Sequence, residues 1–436
     1  MSVAAPEHAP EKLKLTIPAC NDEATSLPTI TVQAASPRRA SIATLSFSTE
    51  RPEMGQRRAS DYLRGPHHQA ASAKRPGMLE PGKRPSLPRM KSALRAPETP
   101  FRELTTIFVC YKAVLLLLAL CASWTGEYDS SSTLVSYSTR LMHWDSVYFQ
   151  HIARHGYVYE QEHAFGPLLP LLLRFIHPMV LGCACHYIAI IALYRASLNA
   201  TSSERISKVA AILHIISPAG IFLCVGYTEP LFCALTFSGV ALLHKYPKVA
   251  ASLFGLSGLT RATGIINAFY FFPKRPDPTR LVNAGLAGAV ICGPWFLTQA
   301  VAYMHYCPGR PWCDRFPPIV YSFVQDHYWH VGFGRYFTLN NLPLFLLSAP
   351  SYLLCLVSLD VSLSGIQQGL LTFLTFTTAH AQIITRMMAA FPGVYWFLAR
   401  RVVQENESQG WRWAIHGWIL YGLCQAVLFG AHLPPA

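Results

Sequence analysis

The segment from Arg140 to Tyr157 concentrates ionisable and aromatic side chains: Arg140, His143, Trp144, Asp145, Tyr148, Phe149, His151, Arg154, His155 and Tyr157. Asp145, Tyr148/Phe149 and Ile152 recur at helical spacing. A helix here would lie at a water–lipid boundary, with one carboxylate among rings and histidines. Partial desolvation raises the proton affinity of such a carboxylate and suits it to general-base work. The same residues also describe an Asp that caps a helix or pairs with Arg140 or Arg154.

Three further polar turns interrupt apolar runs: Gly226-Tyr227-Thr228-Glu229-Pro230, Thr260-Arg261-Ala262-Thr263-Gly264, and His380-Ala381-Gln382 through Thr385-Arg386. Arg261, His380 and Arg386 are candidates for a phosphate, because a guanidinium fork matches its oxygens. Snorkelling or structural ion pairing explains an intramembrane Arg equally well. Around Tyr321–Phe333, Gln325, Asp326, Trp329 and other aromatic groups form a strip able to stack on a sugar or to line a membrane interface. No P-loop, GxGxxG, HExxH or Asp-x-Asp motif occurs, so a water-soluble nucleotide donor has no visible seat.

The elements that must carry these groups are membrane helices. Of 436 residues, 51% are hydrophobic and 14% charged, with mean hydropathy +0.26. Soluble domains carry about 25% charged residues, which excludes an ordinary soluble enzyme. The net charge of +13 is not a nucleic-acid footprint, because it divides between two regions. Residues 1–100 hold 15 Lys/Arg, 9 Asp/Glu and 13 prolines without an apolar run, and read as a disordered cytosolic tail. Its Arg-Arg-Ala-Ser repeats at 38–41 and 57–60 are kinase sites or chance in a biased segment. The first apolar run, Leu104–Ser123, is an uncleaved anchor behind that basic tail.

Apolar segments at 104–123, 182–199, 209–225, 228–244, 249–260, 264–273, 281–303, 341–360, 364–380, 391–402 and 412–430 predict an all-α polytopic bundle of about 11 crossings, range 8–11. The pair 249–260 and 264–273 reads as a hairpin tipped by Arg261. With the N-terminus cytosolic, the basic turns at Arg195–Lys208, Lys245/Lys248, Lys274–Arg280 and Arg400/Arg401 all fall on the cytosolic side. This requires that Leu168–Val180 not cross, and it makes 124–181 and 304–340 lumenal loops. The sequons at Asn199 and Asn406 then face the cytosol. Cys183-Ala184-Cys185-His186 lacks a second ligand pair for zinc. Cys307 and Cys313 share a lumenal loop, where they can close a disulfide.

In order along the chain, His143-Trp144-Asp145, His155-Gly156-Tyr157, Tyr159-Glu160, Ser217-Pro218-Ala219, Gly226-Tyr227-Thr228-Glu229, Pro311-Trp312-Cys313, Gln325-Asp326, Tyr328-Trp329, His380-Ala381-Gln382 and Thr385-Arg386 resemble the GPI mannosyltransferase 2 family. The resemblance runs from about 104 to the C-terminus, with one departure at His163-Ala164-Phe165-Gly166-Pro167. It implies a GT-C type glycosyltransferase domain over 104–436, in the endoplasmic reticulum membrane, with interfacial helices in its first lumenal loop. The implied reaction adds the second mannose, α1,6-linked, from dolichyl phosphate mannose to a mannosylated glucosaminyl-phosphatidylinositol precursor. It implies no cofactor beyond that lipid-linked donor and no nucleic-acid partner, and leaves a small membrane partner subunit open. Asp145 would be the catalytic base, and Arg386, Arg261 and His380 would bind the donor phosphate. His143, Trp144, His155, Glu229, Gln325 and Asp326 would organise acceptor or loops. Rival readings are a GT-C enzyme acting on N-glycan precursor or protein, and a transporter or scramblase. The transporter reading lacks the paired broken-helix repeats it would need.

Overall fold

The computed structural model describes residues 100–124, 141–273, 275, 277–404 and 409–433. The tail with its repeats, Arg140 and Asn406 lie outside the described residues. Those described contain fourteen α-helices, five short 3-10 helices and no strand. In order the α-helices are α1 (Pro100–Ala122), α2 (Asp145–His155), α3 (Leu168–Leu173), α4 (Pro178–Thr201), α5 (Glu204–Ile215), α6 (Thr228–Leu242), α7 (Pro247–Gly258), α8 (Pro278–Tyr306), α9 (Val320–Trp329), α10 (Leu342–Val357), α11 (Leu363–Thr378), α12 (Ile383–Met387), α13 (Pro392–Gln404) and α14 (Gln409–Gly430).

Five stretches are long and apolar enough to cross a membrane: α1, α4, α8, Leu339–Val357 and Trp413–Gly430. The other six expected crossings are shorter. At 1.5 Å per residue, the 15 residues of α6 span roughly 22 Å, less than a hydrocarbon core. The expected span 209–225 is not one helix. Pro218 cannot continue α5, and the chain turns through a buried 3-10 helix, Gly220–Leu223, before α6 begins. Leu168–Val180 is also divided: α3 has six residues, and Pro178, at the first position of α4, restarts the helix in a new direction.

On α1, Leu104, Phe108, Leu115 and Ala119 are buried while Val109 and Leu117 are exposed, the pattern of a helix with one face on protein and one on lipid. Its partner is α14. Central α4 packs against α5 and α6. His186 on α4 shares a hydrogen bond with His214 on α5 (Nε2–Nδ1, 3.1 Å), and His214 Nε2 lies 3.1 Å from the Ala389 carbonyl. This chain pins the turn after α12, and so helps position Arg386. Cys185 is buried on α4 as a small apolar group.

The hairpin expected at 249–273 forms, its second arm the 3-10 helix Ala262–Phe271. Asn267 Nδ2 donates to Ser257 Oγ at 2.9 Å across it. In the departing loop, the backbone of Gly166 approaches so closely that a Cβ there would lie 2.0 Å from the Leu259 carbonyl oxygen. The Leu168 amide donates to that same carbonyl at 3.2 Å, which fastens the first loop to the hairpin tip.

Candidate active site

Asp145 opens α2, its side chain 41% exposed. It is therefore a partly solvated carboxylate at a helix N-terminus. Trp144 before it has φ 50° and ψ −117°, left-handed backbone that costs about 1–3 kcal/mol for a residue with a Cβ. The surroundings enforce it. The His143 carbonyl accepts from Tyr227 Oη at 2.7 Å and Ser146 Oγ at 2.9 Å, and the Trp144 ring packs on Phe429 of α14. His143 is buried against Phe429 and His432.

Opposite Asp145 stands Arg386 of α12, Nη2 to Oδ2 3.3 Å. The same guanidinium donates from Nε to Glu229 Oε1 at 2.7 Å, and its plane lies 4.5 Å and 4.9 Å from the Phe222 and Tyr227 ring centroids. Arg261, at the hairpin tip, donates from Nη1 to the same Glu229 oxygen at 2.6 Å and to Thr228 Oγ1 at 3.2 Å. Glu229, 2% exposed, is thus an anchor for two arginines. A buried carboxylate shared by two cations is held by charge-assisted hydrogen bonds from both. Of the two ion-pair partners named for Asp145, Arg140 lies outside the described residues and Arg154 does not pair with it; among the described residues it pairs with Arg386. Gly226 makes the turn possible: its φ is +52°, and a Cβ would meet Pro178 at 2.8 Å.

Tyr148, one turn along α2, stacks on Phe165 at 5.0 Å, and Trp329 stands edge-on to both at 6.3 Å and 5.6 Å. These three rings come from the first loop and from α9. They are held together by Glu160, whose carboxylate accepts from Arg310 Nε at 2.7 Å, Trp312 Nε1 at 2.7 Å and Tyr328 Oη at 3.1 Å. Burial would push the Glu160 carboxyl up, but those donors and the Arg310 charge outweigh it and hold it below the usual carboxylate range. The Cys307–Cys313 disulfide closes the turn that presents Arg310 and Trp312.

His380 stacks on Tyr336 at 4.8 Å. Burial keeps its imidazole below the ordinary range, against a hydrogen bond to the Trp329 backbone and the charge of Asp145. It stands beside the site as a hydrogen-bonding group. His155 is at the far end of α2, roughly 15 Å along the axis from Asp145, its ring tilted against His151. Asp326 pairs with Arg335, and the Gln325 carbonyl accepts the Val331 amide at the end of α9. Among the described residues neither touches the Asp145–Arg386–Glu229–Arg261 cluster. Tyr227 and Glu160 gain a role only from the structure; their signal in the sequence is a polar group inside otherwise apolar packing. An apolar cavity of about 370 Å³ lies between α10, α13 and α14, bordered by Leu354, Leu398, Trp418 and Met388, two residues from Arg386.

Residues 103–275 and 279–364 match the family described as Mannosyltransferase (PIG-V). The chain belongs to that family. It is similar to GPI mannosyltransferase 2 of Aspergillus oryzae, 34% identical over 421 residues that cover 78% of this chain and 97% of that one. It is likewise similar to GPI mannosyltransferase 2 of Yarrowia lipolytica, 33% identical over 361 residues, 77% of this chain and 99% of that one. The apo Archaeoglobus fulgidus oligosaccharyltransferase aligns over 76% of this chain and 55% of that chain with TM-score 0.38 and 14% identity, too remote to carry an argument. As a PIG-V family mannosyltransferase, the chain carries Asp145, Glu229, Arg261 and Glu160 inside the matched residues, with His380 and Arg386 just beyond them.

Proposed function

We propose that the protein transfers the second mannose, α1,6-linked, from dolichyl phosphate mannose to a mannosylated glucosaminyl-phosphatidylinositol acceptor at the lumenal face of the endoplasmic reticulum membrane. The transferase domain is 104–436, of GT-C type. The observation that carries the reading is one guanidinium, Arg386, shared between an exposed carboxylate and a buried one.

In the transfer, the acceptor 6-oxygen forms a bond to the anomeric carbon as the bond from that carbon to the phosphate oxygen breaks. Asp145 takes the hydroxyl proton, and dolichyl phosphate leaves with one more negative charge. A β-linked donor then yields an α product by a single inversion. Protonation of Asp145 weakens its hold on Arg386 at the moment the leaving phosphate gains charge. The charge lost at one end of the guanidinium is regained at the other, and Glu229 keeps both arginines in place throughout. The isoprenoid chain of the donor fits the apolar cavity beside Met388, and the Tyr148–Phe165–Trp329 rings suit a sugar face.

The test is transfer from labelled dolichyl phosphate mannose by purified protein, alongside rescue of cells lacking this step. Asp145→Asn should cut the rate about 10²–10⁴-fold, the scale of one general base, and Asp145→Ala should not restore surface GPI-anchored protein. Rescue by Asp145→Ala equal to wild type would sink the base assignment.

A further inference from the structure

Gln382 stands at the start of α12, four residues before Arg386, and its backbone is already helical (φ −68°, ψ −16°). The two side chains therefore leave one face of that turn, about 6 Å apart along its axis. Gln382 makes no side-chain bond to cap the helix. Its Oε1 instead accepts from Tyr336 Oη at 3.1 Å. Tyr336 is fixed in turn: its ring stacks on His380 at 4.8 Å, and its carbonyl accepts from Asn341 Nδ2 at 2.9 Å. Two residues earlier, the Gly334 amide donates to the Thr377 carbonyl at 2.8 Å, which ties this loop to the end of α11. A side-chain amide with its oxygen held keeps two N–H donors at the other end. Gln382 is half-buried, and among the described residues its Nε2 has no partner.

The neighbours of this amide belong to the site. His380 bonds to the Trp329 backbone and lies in the field of Asp145. Trp329 stands edge-on to Tyr148, one turn along α2 from Asp145, and Asp145 pairs with Arg386. The Gln382 amide is thus joined to the ring group through Tyr336 and His380, and to the guanidinium through α12. We propose that Gln382 donates to hydroxyls of the donor mannose and so takes part in selecting that sugar. The inference rests on the donor named above and on Arg386 meeting its leaving phosphate. The mannose is bonded directly to that phosphate, so its ring falls within a helical turn of Arg386, where Gln382 stands. Arg386 and Arg261 already offer the phosphate two guanidiniums, whereas an uncharged amide matches neutral hydroxyls. Aromatic faces hold a sugar without reading its hydroxyls; a few placed polar groups supply that reading.

The test measures transfer by purified protein in phosphatidylcholine nanodiscs, from dolichyl phosphate mannose and from analogues lacking one ring hydroxyl each. Gln382→Met keeps the unbranched side chain and removes both donors. It should lower kcat/KM for dolichyl phosphate mannose by about tenfold, the scale of one or two hydrogen bonds between uncharged groups, and leave the acceptor KM where it was. Wild type should discriminate against at least one deoxy donor by a similar factor. Gln382→Met should erase that discrimination, because the contact it reports is already gone. Tyr336→Phe, which frees the amide, should weaken the same discrimination to a smaller degree, as a positioning residue would. Discrimination is a ratio, so a partly inactive preparation leaves it unchanged; should Gln382→Met not fold, Tyr336→Phe decides alone. Wild-type discrimination among the deoxy donors in the variants, or its absence in wild type, would overturn the inference. A raised acceptor KM with an unchanged donor KM would do the same. Absence of transfer by wild type from dolichyl phosphate mannose itself would refute the proposed reaction, a result distinct from failure of the variants.

Discussion

Glu229 is the residue on which the site's charge arrangement depends. Two guanidiniums converge on one of its oxygens, and it is nearly inaccessible to water, so if it is neutralised Arg386 keeps only Asp145, at 3.3 Å, and Arg261 loses its carboxylate. Breaking a buried ion pair by removing one partner costs about 3–5 kcal/mol, because the other charge is stranded. Glu229→Gln, which keeps the shape, should lower the unfolding free energy by about 3 kcal/mol at the low end of that range. It should also cut kcat/KM by at least about tenfold, because Arg386 no longer holds its place against Asp145. Thermal unfolding in detergent and the transfer assay read the two effects. A variant with wild-type values in both would show that the arginines are held by something other than Glu229. Trp144 makes the complementary point: its left-handed backbone persists because Tyr227, Ser146 and Phe429 fix the groups on either side.

At the level of elements, the 3-10 turn Glu160–Ala164 couples α2 to α9. Glu160 accepts from Arg310, Trp312 and Tyr328, and Trp329, next to Tyr328, contributes to the aromatic group beside Asp145. The sign of the pH effect follows from its depressed carboxyl. Stability from Glu160 is fully present above the ordinary carboxylate range and is lost as pH falls through its lower folded value. Wild-type protein should therefore lose stability on acidification below about pH 4. Glu160→Gln, with no charge to titrate, should start about 1–3 kcal/mol less stable and show a smaller acid slope. Equal acid slopes in melting curves of the two proteins would remove Glu160 as the coupling group. Elements with strong sequence signals were legible: α1, α4, α8 and α14 are long apolar runs, and Arg261 between two short ones predicts a hairpin tip. The broken span at 209–225 was not, because hydropathy averages over Pro218. The resemblance groups Asp145, Glu229, Arg261 and Arg386 in one site, but that both arginines share one Glu229 oxygen is set by tertiary packing alone.

Over the whole molecule, helix direction separates two ends. Glu229 lies in the first turn of α6, and Lys245 follows its last; Lys248 lies in the first turn of α7, and Arg261 follows its end. Arg386 precedes α13, which carries Arg400 and Arg401 close to its C-terminal end, Gln404. Lys208 near the start of α5 pairs with Glu103 at the start of α1. The site residues therefore share one end of the helices and the basic turns the other, the division that the positive-inside rule relates to orientation. Asn199 belongs to the basic end: its Nδ2 donates to the Ala241 carbonyl at 2.9 Å, next to the close of α6. Although Asn199-Ala200-Thr201 is an acceptor sequence, the proposed lumenal placement of Asp145 would put it in the cytosol, out of reach of the glycosylation machinery. Protein made in microsomes should show no endoglycosidase-sensitive mobility shift at Asn199, whereas a sequon engineered into 314–318, in the loop before α9, should be modified. A shift abolished by Asn199→Gln would turn the molecule over, and the Asp145 carboxylate would then face the compartment that the proposed reaction excludes.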